Sequence, residues 1–236
     1  MPVTLDQRDH QRKCSASNNV IQTQRGFIVN KKILALTALI ATAFESHAQV
    51  ADLNVIGVFG DSGKCSVDVS NGGTYDLGTI SSSLVRKNQT TPLQSQTATW
   101  TVACDILTYV TLTTADLESA SSSELGDRNF GLGNVNSTGK LGSYTVTAKN
   151  PAVDGQDALF STYTVAPQGS ATALLRKGAH STWMRLDNGN LPASGRQFKV
   201  DLEVNPRLAT ESEMAGLPPD GTPLKGHLTL TIKQGL

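Results

Sequence analysis

Short runs in which apolar and polar residues alternate recur from about residue 53 to the C-terminus. A period of two places one face of a β-strand against a core and the other towards solvent. Turn residues such as Asn71-Gly72-Gly73 separate these runs. The pattern predicts strands over residues 53–59, 65–69, 75–80, 97–104, 109–113, 144–149, 162–165, 171–175, 198–204 and 228–232.

The remaining stretches give little support for helices. Residues 119–139 are rich in Ser, Gly and Asn and predict a long loop, and a short turn near residues 211–216 is the best helical candidate. Aromatic residues make up 5% of the chain and charged residues 17%, which suits short strands joined by polar turns. We therefore predict an all-β fold, an immunoglobulin-like β-sandwich, over residues 63–236.

An export signal is predicted upstream of these strands. Lys31 and Lys32 precede an uncharged apolar run over residues 33–44, and small residues follow at positions 46 and 48. A positive region, an apolar region of about a dozen residues and a small-x-small site are the three parts of a signal peptide. The run is shorter than the ~20 residues that a membrane-spanning helix needs. We expect residues 31–48 to be removed by cleavage between Ala48 and Gln49; a buried helix is the weaker alternative.

Residues 1–30 are polar and show no sustained period of either kind. Export signals usually begin close to the N-terminus. Val29 would provide such a start if it were encoded by a GTG initiator codon. Two interpretations stay open: an over-extended gene prediction or disordered leader, and a genuine long segment before the signal.

The cysteine count becomes even once the leader is removed. Of Cys14, Cys65 and Cys104, only the last two lie in the exported part. An even pair in an oxidising compartment predicts a structural disulfide. A metal site is the weaker alternative, because two isolated cysteines without neighbouring histidines do not complete a tetrahedral ligand set.

Charge and candidate chemistry exclude several classes of function. The whole chain has 20 basic and 20 acidic residues. The first 48 residues contain six of the basic and three of the acidic ones, so the exported part has 14 basic and 17 acidic residues. We therefore expect no nucleic-acid partner. Only His180 and His227 remain after cleavage, and nucleophile-elbow, zinc-helix and phosphate-loop motifs are missing. We expect no enzymatic activity, cofactor or metal, with His180 in a turn and His227 beside the last strand.

The segment directly after the cleavage site has a strongly alternating pattern. Leu53, Val55, Gly57 and Phe59 share one face of a predicted strand. This strand either joins the sheet of its own domain or, as an extension over residues 49–62, pairs with another chain. Periodicity alone does not separate these alternatives.

Several short sequence segments resemble those of chaperone–usher fimbrial subunits. They are Leu53-Asn54-Val55-Ile56-Gly57-Val58, Cys65-Ser66-Val67, Asp76-Leu77-Gly78-Thr79-Ile80, Thr97-Ala98-Thr99-Trp100-Thr101-Val102-Ala103-Cys104 and the closing Leu228-Thr229-Leu230-Thr231-Ile232. They are also similar to an uncharacterised family described as probable β-fimbrial major subunits. The resemblance covers residues 49–236 and is clearest at the two ends.

The resemblance implies a sandwich that lacks one strand and is completed by a donor strand from a neighbour. Leu53, Val55 and Phe59 would be the inserted side chains, and Gly57 would lie where the groove is shallow. The implied partners are other fimbrial subunits, a periplasmic chaperone and an outer-membrane usher. The implied location is a fimbrium on the cell surface, reached through the periplasm.

One departure concerns the C-terminus. Many fimbrial subunits carry a tyrosine there that helps chaperone docking, whereas this chain ends Lys233-Gln234-Gly235-Leu236. The leading hypothesis is a structural subunit of a surface fibre, with the shaft favoured over the tip. The alternative is a secreted monomeric β-sandwich that binds carbohydrate or a surface. A secreted hydrolase is the weakest hypothesis because no acid–base constellation is evident.

Overall fold

The computed structural model describes residues 63–235. Within this range the chain forms fourteen β-strands and two single-turn 3-10 helices, Ser82–Leu84 and Ser119–Ser121. The strands in chain order are β1 (Cys65–Val69), β2 (Thr91–Pro92), β3 (Gln96–Thr108), β4 (Val110–Asp116), β5 (Phe130–Gly131), β6 (Asn134–Val135), β7 (Gly139–Lys140), β8 (Gly142–Val153), β9 (Gln156–Asp157), β10 (Leu159–Tyr163), β11 (Ala173–Leu174), β12 (His180–Met184), β13 (Gly195–Leu208) and β14 (Leu228–Gln234).

Two sheets make up the sandwich, and every pair of named strands is antiparallel. The larger sheet has the order β1-β3-β13-β8-β11, with β2 added to β13, and β5 and β9 added to β8. The smaller sheet has the order β10-β12-β4-β14, and β6 and β7 form a separate ribbon. The predicted all-β sandwich is therefore confirmed.

The core lies between the two sheets and is centred on β13. Phe198, Val200 and Leu202 alternate along this strand and are almost fully buried. β13 pairs with β3 on one side and β8 on the other, so its apolar face meets inward-facing residues of both neighbours. The period-two pattern of the sequence thus becomes one continuous apolar layer.

An aromatic cluster closes one side of this core. The ring of Trp183 on β12 lies 5.1 Å from that of Phe160 and 5.3 Å from that of Phe198, measured between centroids. Its indole N–H donates a hydrogen bond of 2.8 Å to the carbonyl of Lys199 in the opposite sheet. This buried tryptophan therefore fills volume and also satisfies its polar group.

The predicted disulfide between Cys65 and Cys104 is confirmed. The two residues are direct partners in the pairing of β1 with β3, with Cα atoms 4.0 Å apart. The bridge therefore ties an edge strand of the larger sheet to the strand beside it. Cys14 lies outside the described residues.

Two predicted elements differ from the structure. Residues 75–80 form no strand within the described range, because Gly78 has a φ of +64° and its N–H binds the side chain of Asp76, which bends the backbone. His180 begins strand β12 and does not lie in a turn. Ser181 and Thr182 are polar but buried on β12, so this strand lacks the apolar–polar alternation from which a strand is predicted.

Other boundaries shift by a few residues. The strand predicted over 162–165 is β10, and the one predicted over 171–175 is the shorter β11. The polar stretch 119–139 contains β5, where Phe130 is fully buried beneath the loop. The leader, the signal peptide and the extension over 49–62 lie outside the described residues.

Candidate functional site

The edge strands β1 and β14 lie on the same side of the sandwich, one in each sheet. The side-chain amide of Gln234 at the end of β14 lies 2.9 Å from the sulfur of Cys65 at the start of β1. Within residues 63–235, β14 pairs only with β4, over a register of seven residues. Its second edge has no strand partner in this part of the chain.

Inward-facing residues on these two strands are incompletely covered. Val67 on β1 is 44% exposed, although its direct partner Val102 on β3 faces the same core and is 3% exposed. On β14, Leu228, Leu230 and Ile232 are only half-buried. Each sheet therefore ends in aliphatic side chains that residues 63–235 cover only in part, although those of β14 pack against the core.

The sandwich also contains a cleft of about 740 Å³, which we call the edge cleft; Leu228, the first residue of β14, lines it, and no residue of β1 does. One wall is formed by residues 73–80 and the other by residues 221–224 and 226–228. Its floor is the inner face of the larger sheet, with the side chains Trp100, Leu132, Tyr144, Val146, Leu202, Val204 and Pro206. The cleft meets β14 where that strand begins, since Leu228 is its lining residue from that strand.

The wall of residues 75–80 is attached to the larger sheet by side chains. The hydroxyl of Tyr75 donates to the carbonyl of Leu202 at 3.2 Å and accepts from the indole N–H of Trp100 at 3.1 Å. The side-chain amide of Gln96 also binds the carbonyl of Asp76. The backbone groups of Leu77 make no backbone hydrogen bond within residues 63–235. Side chains therefore hold this wall in place, and the backbone groups of Leu77 are left free to pair with an added segment.

The floor of the edge cleft is uncharged at neutral pH. Burial raises the pKa of Tyr144, and the nearby charges of Asp116 and Glu118 raise it further. Burial also raises the pKa of Tyr75, partly offset by the hydrogen bond with Trp100. The other lining residues that can carry charge are Asp76 and His227. The cleft therefore suits an apolar occupant that brings its own backbone hydrogen-bonding groups.

The structure also places the two histidines. His180 Nδ1 lies 3.3 Å from the hydroxyl of Thr113, and His227 is exposed directly before β14. Residues 63–235 contain no cluster of three or more His, Cys, Asp or Glu side chains that could hold a metal ion. No helix in the described range is long and apolar enough to span a membrane.

Of the predicted site residues, Cys65 and Cys104 lie near Gln234, at the other end of β14 from the edge cleft. The candidate donor residues Leu53, Val55, Gly57 and Phe59, and the cleavage pair Ala48 and Gln49, lie outside the described residues. Sequence reasoning missed the roles of Val67 and Tyr75. Alternation indicates which side chains face inward, but it carries no information on whether another strand covers them.

A family model described as a protein of unknown function (DUF1120) matches residues 53–128. The matched range begins in the segment before β1 and ends after β4. No curated protein matches the chain. The similarity thus links the alternating segment and the first edge strand to one family but supplies no activity.

Proposed function

We propose that this protein is a structural subunit of a bacterial surface fimbria and polymerises by donor-strand complementation. The observation that carries the proposal is the pair of incompletely covered aliphatic rows on the edge strands β1 and β14, together with the edge cleft beside Leu228 at the start of β14. A strand from a second copy, inserted between these edges, would cover both rows. The resemblance to fimbrial subunits points in the same direction.

The driving force is strand addition to an exposed sheet edge. Main-chain hydrogen bonds to β14 supply affinity, and alternate side chains in the cleft set the register. Fully burying an exposed aliphatic side chain contributes about 1.5–3 kcal/mol, and the half-buried side chains of β14 contribute a fraction of that each. Several such contacts, made together with a ladder of hydrogen bonds, support a long-lived joint between subunits.

The alternating segment of residues 53–59 has the length and pattern that the cleft requires. It contains seven residues, as does β14. We place it antiparallel to β14, because all named strand pairs in this sandwich are antiparallel. Phe59 then lies beside Leu228, the residue of β14 that lines the edge cleft, and Leu53 lies beside Gln234.

The opposite orientation fits less well. It would place Phe59 beside Gln234, where the amide of that residue already contacts Cys65. In the antiparallel register Gly57 faces Leu230, so two bulky side chains do not compete for the same space. Shape therefore supports the antiparallel arrangement, and the role of Gly57 implied by the resemblance is consistent with it.

Such a joint is heterologous, because the surface that donates differs from the surface that accepts. Heterologous contacts that do not close generate open fibres. Before assembly the exposed aliphatic side chains of β1 and β14 need temporary cover. By analogy with fimbrial subunits, a periplasmic chaperone supplies this cover, and an outer-membrane usher delivers the subunit to the cell surface.

Cross-linking between copies tests this function. Exported chains with Phe59→Cys are mixed with chains with Leu228→Cys and oxidised mildly. We expect a 59–228 disulfide between copies, because the two positions are neighbours in the joint. Val165→Cys replaces Leu228→Cys in the control: Val165 is 93% exposed and follows β10, the edge strand farthest from β14.

The alternative function predicts a different product. In a secreted monomeric binding module, residues 53–59 join the sheet of their own chain. Intact chains would then stay monomeric after export, and the mixed single-cysteine chains would form no 59–228 disulfide above the control. That pair of results would overturn the fimbrial proposal.

A further inference from the structure

An apolar surface lies at the end of the sandwich where β3 leads into β4. Ile106, Leu107 and Tyr109 are 41%, 63% and 38% exposed. They follow one another closely in the chain and project from the end of the fold that also carries the start of β1 and the end of β14. We call Ile106, Leu107 and Tyr109 the hairpin tip. An exposed apolar cluster of this kind indicates a contact site.

The chain enters the domain directly across this tip. A Cβ atom added to Gly63 would lie only 2.3 Å from Cγ1 of Ile106, so glycine permits the close approach. The next residue is anchored at the same place: the N–H of Lys64 donates to the Asp105 carboxylate at 2.8 Å, and the N–H of Asp105 donates to the Lys64 carbonyl at 3.0 Å. Whatever binds the segment before Gly63 is therefore held close to Ile106.

The connection between the donor segment and the domain is short. Only Gly60, Asp61 and Ser62 separate Phe59 from Gly63. Four Cα steps at about 3.3–3.6 Å each span at most ~14 Å. If Phe59 occupies the edge cleft of a second copy, the hairpin tip of the first copy lies against the rim of that cleft.

The antiparallel orientation identifies the part of the rim. Phe59 lies beside Leu228, at the start of β14. Next to this point, the N–H of Leu117 donates to the carbonyl of His227 at 3.0 Å. Leu117 is 63% exposed and is thus a second aliphatic side chain without cover, at the opposite end of the sandwich from the hairpin tip.

We propose that Ile106 and Leu107 of each subunit pack against Leu117 of the subunit that accepts its donor strand. The occupant of the hairpin tip is therefore a second copy of this chain. The inference rests on the proposed function and adds a contact outside the edge cleft. This contact fixes the rotation of one subunit relative to the next, which the link through residues 60–62 does not fix by its length.

A second cross-link tests this contact. Chains with Leu107→Cys are mixed with chains with Leu117→Cys, and the control mixture replaces Leu117→Cys by Val165→Cys. We expect at least tenfold more intermolecular 107–117 disulfide than 107–165 disulfide at equal times. If 59–228 cross-links form but 107–117 cross-links do not exceed the control, the hairpin contact is refuted and strand donation stands. If neither pair reacts, the proposed function fails and the contact fails with it.

Fibre yield provides a second test of this contact that needs no introduced cysteines. Leu107→Glu should reduce fibre yield at least tenfold, while Leu107→Met, which keeps an apolar side chain, should restore it. Folding is checked by the thermal transition of each variant, which we expect to be unchanged because the side chain is exposed. Normal fibre yield from a folded Leu107→Glu variant would contradict the contact.

Discussion

The two sides of the sandwich use similar inward-facing residues but differ in how these residues are covered. On the side of β10 and β12, Phe160 and Trp183 are at most 1% exposed. On the side of β1 and β14, Val67 and Leu230 face the same interior and remain partly exposed. We call these the closed side and the open side. The position of a residue along its strand sets the direction of the side chain, and the neighbouring strands set how far that side chain is buried.

The difference separates two energetic roles. Residues of the closed side are already removed from water in the single subunit, so they stabilise the fold itself. Residues of the open side keep apolar area in contact with water. A partner that covers this area would therefore gain binding free energy from its burial. Mutations on the two sides should therefore affect different measurements.

The largest expected difference concerns the two tryptophans of the chain. Trp183→Ala should lower the free energy of unfolding by about 3–5 kcal/mol, because it leaves a cavity in the aromatic cluster. Trp100→Ala should cost clearly less, since Trp100 is only half-buried on the floor of the edge cleft. Urea unfolding followed by circular dichroism measures both values. Equal losses would show that the two sides are covered alike.

A smaller difference is expected for one cross-strand pair. Leu112 and Ile232 face each other directly on β4 and β14, but Leu112 is 3% exposed and Ile232 is half-buried. Leu112→Ala should cost about 2–5 kcal/mol, within the range for a fully buried leucine, and Ile232→Ala about 1 kcal/mol. Only Ile232→Ala should weaken joints between subunits more than it weakens the fold. Denaturant unfolding and fibre dissociation, compared for the same variants, check this prediction.

The smallest expected effect is a pH dependence on the open side. Burial raises the folded-state pKa of Tyr75 above its ordinary value of about 10. A raised pKa favours the neutral form in the folded state, so this stability is fully present below pH ~10 and is lost as the pH rises through the folded pKa. Tyr75→Phe should reduce the loss at alkaline pH, at a cost of about 1 kcal/mol near neutrality for the missing hydrogen bonds. Unfolding curves at stepped alkaline pH provide the test, and an unchanged pH profile in Tyr75→Phe would contradict it.

Much of the fold could be predicted because the strands bury one face each. The alternation around Trp100, Val102 and Cys104 was sufficient to predict β3, and the parity of the cysteines predicted the disulfide. β12 was missed because Ser181 occupies an inward position, where its hydroxyl lies 3.0 Å from that of Thr162. A polar residue whose hydrogen bonds are made inside the core cannot be recognised as buried from the pattern of hydrophobic residues.

The candidate site was less accessible to sequence reasoning. Residues 75–80 read as a strand, yet the bend at Gly78 and the contacts of Tyr75 turn them into a cleft wall. Which strand edges remain unpaired depends on the order of strands in each sheet, and that order depends on contacts between distant residues. The donor residues Leu53, Val55, Gly57 and Phe59 remain a prediction.

The position of the disulfide has a mechanical consequence for a chain pulled at its N-terminal end. Cys65 is two residues from Gly63, where the connection to residues 53–59 enters the domain. A pulling force on that connection reaches the covalent bridge to Cys104 before it loads the hydrogen bonds that follow along β1. The force passes into β3, which is paired on both sides. Tension along a fibre would therefore be carried by the interior of the sheet, and β1 would be protected from peeling away.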